Sequence, residues 1–319
     1  MLQVWNERLV IDNQKALEYA ASLPKQAEYL YNLDRGFIPI SKDRSAPDKN
    51  INYGTRYFET VQHFPILLAG SQLEKKPFLY ISQIIEDRTI ISLLAKERPQ
   101  DFERLVPKWS FAVGKLQSNA SIEEIWHISN FAFLEIDRLL EVVKANFKAL
   151  RYANKSDRTR IRYILARINL RTMKNISDTE VLPELNSLFR TSQSSKGQVS
   201  LGYDIEHIRP KSIYGGNPIT DSIGNLVLAH PKDQRGAGDL EPFEDRKKAV
   251  YSSSKMLLTK SLCDYGEVMN SLNMDERKEM RKIHEDAPAS LYNWDDSAIQ
   301  RRTEMYWKLF LSDLAIPAK

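Results

Sequence analysis

The sequence predicts a mainly α-helical chain with one small strand-containing insert in its C-terminal half. Three observations lead there. Apolar residues recur at helical spacing over most of the 319 residues. Only two short runs, 203–210 and 224–229, read as strands. Both follow "TSQSSKGQVS" (191–200), a small, polar stretch where the helical pattern stops. There is no internal repeat and no low-complexity tract.

Residues 13–34, "NQKALEYAASLPKQAEYLYNLD", carry Ala, Leu and Tyr at helical spacing, and Pro24 is expected to kink or break the run. Residues 41–55 have loop composition, and 78–97 form a helix with an apolar face. The segment 121–150 opens with Ser121 and Glu124 in capping-box spacing and is expected to be the longest helix. In 157–174, Ile161, Ile164, Leu165 and Ile168 share one side, which leaves Arg158, Arg162 and Arg171 free to lie elsewhere. Ser177 and Glu180 form a second capping pair before a short helix. Beyond the two strands, Pro242 to Leu262, 274–286 and 298–314 read as helices.

The expected organisation is a helical region over 1–190 that binds DNA or a partner, a flexible loop at 191–200, the insert at 201–262, and C-terminal helices over 263–319 packing on the body.

Composition narrows the function classes. Hydrophobic content of 42% and charged content of 28% are ordinary for a globular protein. No apolar stretch approaches the roughly 20 residues a membrane helix needs, and the first residues carry charges in every window that could serve as a signal-peptide core. The expectation is a cytoplasmic protein with no membrane partner. A single cysteine, Cys263, rules out an internal disulfide framework and a Cys-based zinc ribbon. The nearest approach to a phosphate loop, Gly114-Lys115, has Trp109 where the first glycine belongs, so a self-contained ATPase is not expected.

The net charge is only +4, but it is unevenly spread. Ten Lys or Arg residues lie between Lys144 and Lys174 against one acid, Asp157. A stripe of this kind suits a polyphosphate, because each neutralised phosphate releases condensed counterions. The competing reading is a helix face balanced by acids on a neighbouring element.

The densest chemistry is in "DIEHIRPKS" (204–212) and "IGNLVLAHPKDQRGAGDLEPF" (223–243). Phosphodiester hydrolysis needs a base for water, a cation for the charge on the leaving oxygen, and a grip on the phosphate. His207 supplies a base whose ordinary pKa near 6.5 leaves it neutral at pH 7. Glu206 supplies a hard oxygen ligand suited to Mg²⁺ or Mn²⁺. Adjacent strand residues face opposite sides, so the strand must bulge or end near them, and Pro210 is a plausible terminator. A second metal ligand is sought at Asp233 or Gln234, before the Gly236–Gly238 turn. Lys211, Arg235, Lys247, Lys248 and Lys255, with Arg158, Arg162 and Arg171 of the stripe, are candidates for holding phosphates. Asp204 is a further ligand or a surface acid. His63, His127 and His284 are read as structural.

These two segments resemble the HNH, or His-Me finger, nucleases with their ββα-metal fold. They are most similar to the His-Ile-x-Pro branch of the GmrSD-type restriction enzymes and close to the HNH domain of Cas9. The matching residues are Glu206-His207-Ile208-Arg209-Pro210, Gly224-Asn225-Leu226, Gln234, Pro242-Phe243, Lys247-Lys248 and Tyr251-Ser254.

The resemblance covers about sixty residues. It implies a Mg²⁺- or Mn²⁺-dependent DNA endonuclease, the effector of a multi-gene anti-phage system in which a separate ATPase or sensor supplies recognition. In that reading His207 is the general base, Glu206 the first metal ligand, and Asn225 the residue that fixes the loop and orients the histidine. Gln234 departs from the Asn or His usual at its position, so Asp233 is the alternative ligand. An RNA (tRNA) nuclease of the same fold and a catalytically degenerate DNA-binding or scaffold subunit are the two other readings.

Overall fold

The computed structural model describes residues 13–35, 57–134, 136–174, 202–215, 217–229, 243–286, 291 and 294–315. Among them 69% are helical and 4% are in strands, so the fold is mainly α. The backbone forms two compact units, Met1–Asp137 with Ala315–Lys319, and Arg138–Leu314. The division falls inside the region that patterning assigned to a single body at 1–190. No described helix is long and apolar enough to cross a membrane.

In the first unit, α1 (Asn13–Asp34) runs as one 22-residue helix with Pro24 inside it, where patterning expected a kink or break. The helices α2 (Phe64–Ala69), α3 (Lys75–Ala95), α4 (Pro99–Glu103), α5 (Val106–Val113) and α6 (Ile122–Ser129) follow. The core is built around α3, whose Phe78, Ile81, Ile84, Ile85, Ile90, Ile91 and Leu94 are buried. The Trp109 indole is buried and donates to Ser129 Oγ at 3.0 Å, which satisfies its polar edge.

Ser121 and Glu124 make the capping box that their spacing predicts. The helix they start is short, however. It passes into a 3₁₀ turn at Asn130–Phe133 and breaks at Leu134, whose ψ of 137° is extended. A new helix, α7 (Ile136–Lys148), then begins, so the single long helix expected over 121–150 is two. Burial of Ala132 and Phe133, with Phe133 against Trp126, accompanies the break. Tertiary packing overrides the local periodicity here.

The second unit holds α8 (Lys155–Lys174), β1 (Asp204–His207), α9 (Lys211–Tyr214), β2 (Leu226–Ala229), α10 (Phe243–Tyr251), α11 (Leu257–Lys260), α12 (Tyr265–Asn270), α13 (Met274–Asp286) and α14 (Asp296–Asp313). The helix expected from Pro242 to Leu262 is thus divided in two, α10 and α11. The strands pair antiparallel, with Asp204 opposite Ala229, Glu206 opposite Val227 and His207 opposite Leu226. All four residues of β2 are buried, as an apolar run covered on both faces should be. It lies against α8 and α11.

Every residue of α8 from Ile161 to Leu170 is buried, Arg162, Arg167 and Asn169 included. This middle stretch of the predicted one-sided helix is therefore core on all sides, while Lys155 and Arg158 in its first turn stay exposed, and the two buried arginines are met by internal acceptors. Arg162 donates to the Tyr203 carbonyl, and Arg167 pairs with Asp313 at 2.8 Å.

The turn before β2 seats on α14. Ile223, Gly224 and Asn225 form a 3₁₀ turn, and a Cβ on Gly224 would stand 2.2 Å from the Ile299 carbonyl oxygen. The Tyr306 hydroxyl donates to the Leu226 carbonyl at 3.1 Å. The C-terminal helix is thus an integral wall of the hairpin.

Candidate active site

Glu206 and His207 are the last two residues of β1, and each has its own set of partners. The Glu206 carboxylate accepts at Oε1 from Lys247 Nζ at 2.7 Å and from the Tyr251 hydroxyl at 3.1 Å. Lys247 and Tyr251 are one helical turn apart on α10, so both reach the same oxygen. Burial first, and Glu206 second, push the Tyr251 phenol well above its ordinary pKa, so it stays protonated and donates. Lys247 also donates to the His207 carbonyl. The ammonium therefore lies beside both residues of the pair.

The other carboxylate oxygen, Oε2, is buried and has no hydrogen-bond partner. A buried lone pair left open is costly, and a divalent cation would satisfy it. As a hard oxygen donor it suits Mg²⁺ or Mn²⁺. Among the described residues, no group of three or more His, Cys, Asp or Glu gathers to hold a metal. Asp233, Gln234 and Arg235 lie outside the described residues.

The His207 imidazole has a different neighbour from the one the sequence indicated. Its Nε2 lies 3.0 Å from Asp221 Oδ1, and Lys211 Nζ lies 3.0 Å from Asp221 Oδ2. Burial pushes the Asp221 carboxyl up, but the bonds from Lys211 and His207 outweigh it and hold the group below its ordinary pKa. Asp221 is therefore an acceptor, Nε2 carries the proton, and the lone pair of the neutral ring sits on Nδ1. Burial lowers the His207 pKa, Asp221 raises it, and Lys211 and Lys247 lower it, with a net downward shift. The Tyr152 ring meets the imidazole edge to face, 5.1 Å between centroids.

Asn225 is fully buried, and its side-chain hydrogen bonds all go to the surrounding loops. Its Oδ1 accepts from Arg209 N at 2.9 Å and Trp294 Nε1 at 2.8 Å. Its Nδ2 donates to the carbonyls of Arg209 at 3.1 Å and Thr220 at 2.8 Å. It pins the chain leaving β1 to the segment before β2, while the bond on the histidine ring comes from Asp221.

The expected phosphate-binding residues divide. Lys247 is 1% exposed and engaged with Glu206, and Arg162 is 8% exposed and bonded to Tyr203, so both act inside the fold. Lys248 pairs with Glu267, and Arg171 is half-buried. Elsewhere in the stripe, Lys144 and Lys148 both pair with Glu304. Arg158 is different. It is exposed, donates to the Tyr152 carbonyl at 2.8 Å and lies 4.9 Å from the centroid of the Tyr152 ring. One aromatic ring thus separates its guanidinium from His207. Lys211 and Lys255 are exposed. Cys263 is buried, and burial pushes its thiol to about 11, consistent with a core residue.

No protein-family model matches the chain, and no curated protein matches it.

Proposed function

We propose that the chain is a metal-dependent endonuclease of the HNH, ββα-metal kind, hydrolysing DNA phosphodiesters through His207 and Glu206. The observation that carries this reading is the pair at the end of β1. A buried carboxylate with one oxygen unpartnered adjoins an imidazole whose Nε2 is held by a carboxylate, leaving Nδ1 to accept a proton. The antiparallel β1–β2 pair and the following α10, which supplies both donors to Glu206, fit the ββα arrangement.

In this reading water attacks the phosphorus while His207 Nδ1 takes its proton. Asp221 stabilises the resulting imidazolium and holds the ring's orientation. The bond from phosphorus to the leaving sugar oxygen breaks, and that oxygen is protonated from solvent. A bound Mg²⁺ or Mn²⁺ would stabilise charge on the phosphate and the leaving oxygen. Glu206 Oε2 would hold it, with Gln234 or Asp233 as the second protein ligand. Arg158 and Lys211 would receive flanking phosphates. A role in an anti-phage system with a separate ATPase or sensor rests on family resemblance alone.

The deciding experiment is cleavage of supercoiled plasmid, with tRNA in parallel, in Mg²⁺, in Mn²⁺ and in EDTA. Metal-dependent nicking or linearisation of DNA is expected. Cleavage confined to tRNA would move the substrate to RNA, and no cleavage of either in any metal would reject the enzyme.

Two further outcomes are expected. His207 has a lowered pKa, so its neutral form persists below pH 6.5 and the acid limb of the rate profile lies below that value. Asp221→Asn removes the negative charge that raises this pKa. The limb should move further toward acid, and the plateau rate should fall by about 10² as the general base loses its orienting partner. An unmoved limb would separate Asp221 from catalysis.

Arg158→Gln should weaken DNA affinity and lower the slope of log K against log salt by roughly 0.9, the value for a single neutralised phosphate. Arg162→Gln should leave that slope alone and lower the melting temperature, because Arg162 is bonded inside the fold. The opposite pattern would return the stripe to the nucleic-acid surface.

A further inference from the structure

We infer that Lys247 is a resident cation at the Glu206 carboxylate, which fixes Glu206 as a one-oxygen metal ligand and weakens its hold on a divalent ion. The inference rests on the proposed role of Glu206 as a ligand.

The two carboxylate oxygens are treated unequally. Oε1 receives two donors, Lys247 Nζ at 2.7 Å and the Tyr251 hydroxyl at 3.1 Å, whereas Oε2 is buried and receives none. The ammonium is not a surface lysine resting on a neighbour. Lys247 is 1% exposed, and its second acceptor is the carbonyl of His207. Fully buried lysines are rare unless paired, and this one is paired to the candidate ligand and tied to the backbone of the candidate base. Tyr251, also buried, closes the same oxygen from the next helical turn. Rotating the carboxylate to give a cation both oxygens would break two hydrogen bonds, so the ligand is held monodentate. The positive charge has a second consequence. At an effective dielectric of about 20, a unit charge a few ångströms away lowers affinity for a divalent cation by about tenfold or more. Lys247 thus combines a geometric gain with an electrostatic cost, and removing it should move binding and cleavage in opposite directions. A lysine that merely supports the fold would lower both.

The test uses the whole chain and Mn²⁺ binding followed by the electron paramagnetic resonance of the free ion, with plasmid cleavage alongside. Lys247→Met keeps the stem and removes the charge, and Lys247→Gln keeps a donor without the charge. Each folded variant should bind Mn²⁺ at least about tenfold more tightly than wild type and cleave more slowly at saturating metal. Tyr251→Phe, which removes a donor but no charge, should change Mn²⁺ affinity less than threefold. Wild-type or weaker Mn²⁺ affinity in a folded Lys247 variant overturns the inference.

Removing one partner of a buried ion pair is destabilising, so folding is itself informative. A variant unfolded without metal but folded in Mn²⁺ supports the inference, because the bound ion then replaces the ammonium by mass action. If both variants stay unfolded in saturating Mn²⁺, Lys247 is structural and the inference fails. Wild-type chain that binds no Mn²⁺ would reject the metal role of Glu206. A measurable wild-type affinity left unchanged by the substitutions would reject only the role of Lys247.

Discussion

Substituting His207 by Ala is expected to cut plasmid cleavage by orders of magnitude while DNA binding and the melting temperature stay close to wild type. The expected loss is the 10²–10⁴ that a positioned general base contributes to rate. The fold should tolerate the change because of how the ring is held. His207 keeps partial exposure at the end of β1 and is bonded to Asp221 through Nε2. When the ring is removed, Asp221 still has Lys211 on its other oxygen, so no buried charge is stranded. The backbone of the pair is held separately, by the Lys247 bond to the His207 carbonyl and by the 2.8 Å bond from Ile208 N to the Asn225 carbonyl. The substitution is thus expected to remove the proposed base and little else. The residual rate should also lose the acid limb assigned to this imidazole. Wild-type cleavage by the variant would end the assignment, and a large fall in melting temperature would make His207 a structural residue.

How much of this was legible in the sequence depends on the kind of information each residue carries. The hairpin was legible because its residues are close in sequence and chemically unusual together: Glu206-His207, Pro210 and Gly224-Asn225-Leu226. The start of α6 was legible for the same reason, since a capping box joins residues only three apart. Asp221 was not. In "NPITDSIGN" it reads as a loop residue, and only the return of the chain places its carboxylate on His207. Lys247 was misread for a related reason. A lysine on a helix is solvated by default, and nothing local tells that this turn of α10 faces Glu206. The α8 arginines failed differently. Periodicity placed Ile161, Ile164, Leu165 and Ile168 on one face, but the helix is covered all round from Ile161 to Leu170, and Arg162 and Arg167 find acceptors at Tyr203 and Asp313, 41 and 146 residues away. Charge count in a segment reports composition, and only packing decides which charges reach solvent.

Gly224 matters for the side chain it lacks. Gly224→Ala is expected to destabilise the second unit by about 3 kcal/mol or more, at the upper end of overpacking effects. The added Cβ would stand 2.2 Å from the Ile299 carbonyl oxygen, 2.3 Å from Thr303 Oγ1 and 2.8 Å from Thr303 N. Two of these three atoms are backbone of α14, which cannot rotate away as a side-chain tip could. Relief requires α14 or the 3₁₀ turn to move, and both are tied to the site. The turn carries Asn225, whose Oδ1 accepts from Trp294 just ahead of α14, and Arg209 on the loop after β1 pairs with Asp296 at the first residue of that helix. For a unit of this size, about 3 kcal/mol corresponds to a melting temperature lower by roughly 6–12 °C. Cleavage measured well below the new transition should fall as well, because a displaced turn shifts the loop that Asn225 holds behind His207. Gly224→Ala with wild-type melting would mean that the turn does not seat on α14, and the placement of the hairpin against the C-terminal helix would be wrong.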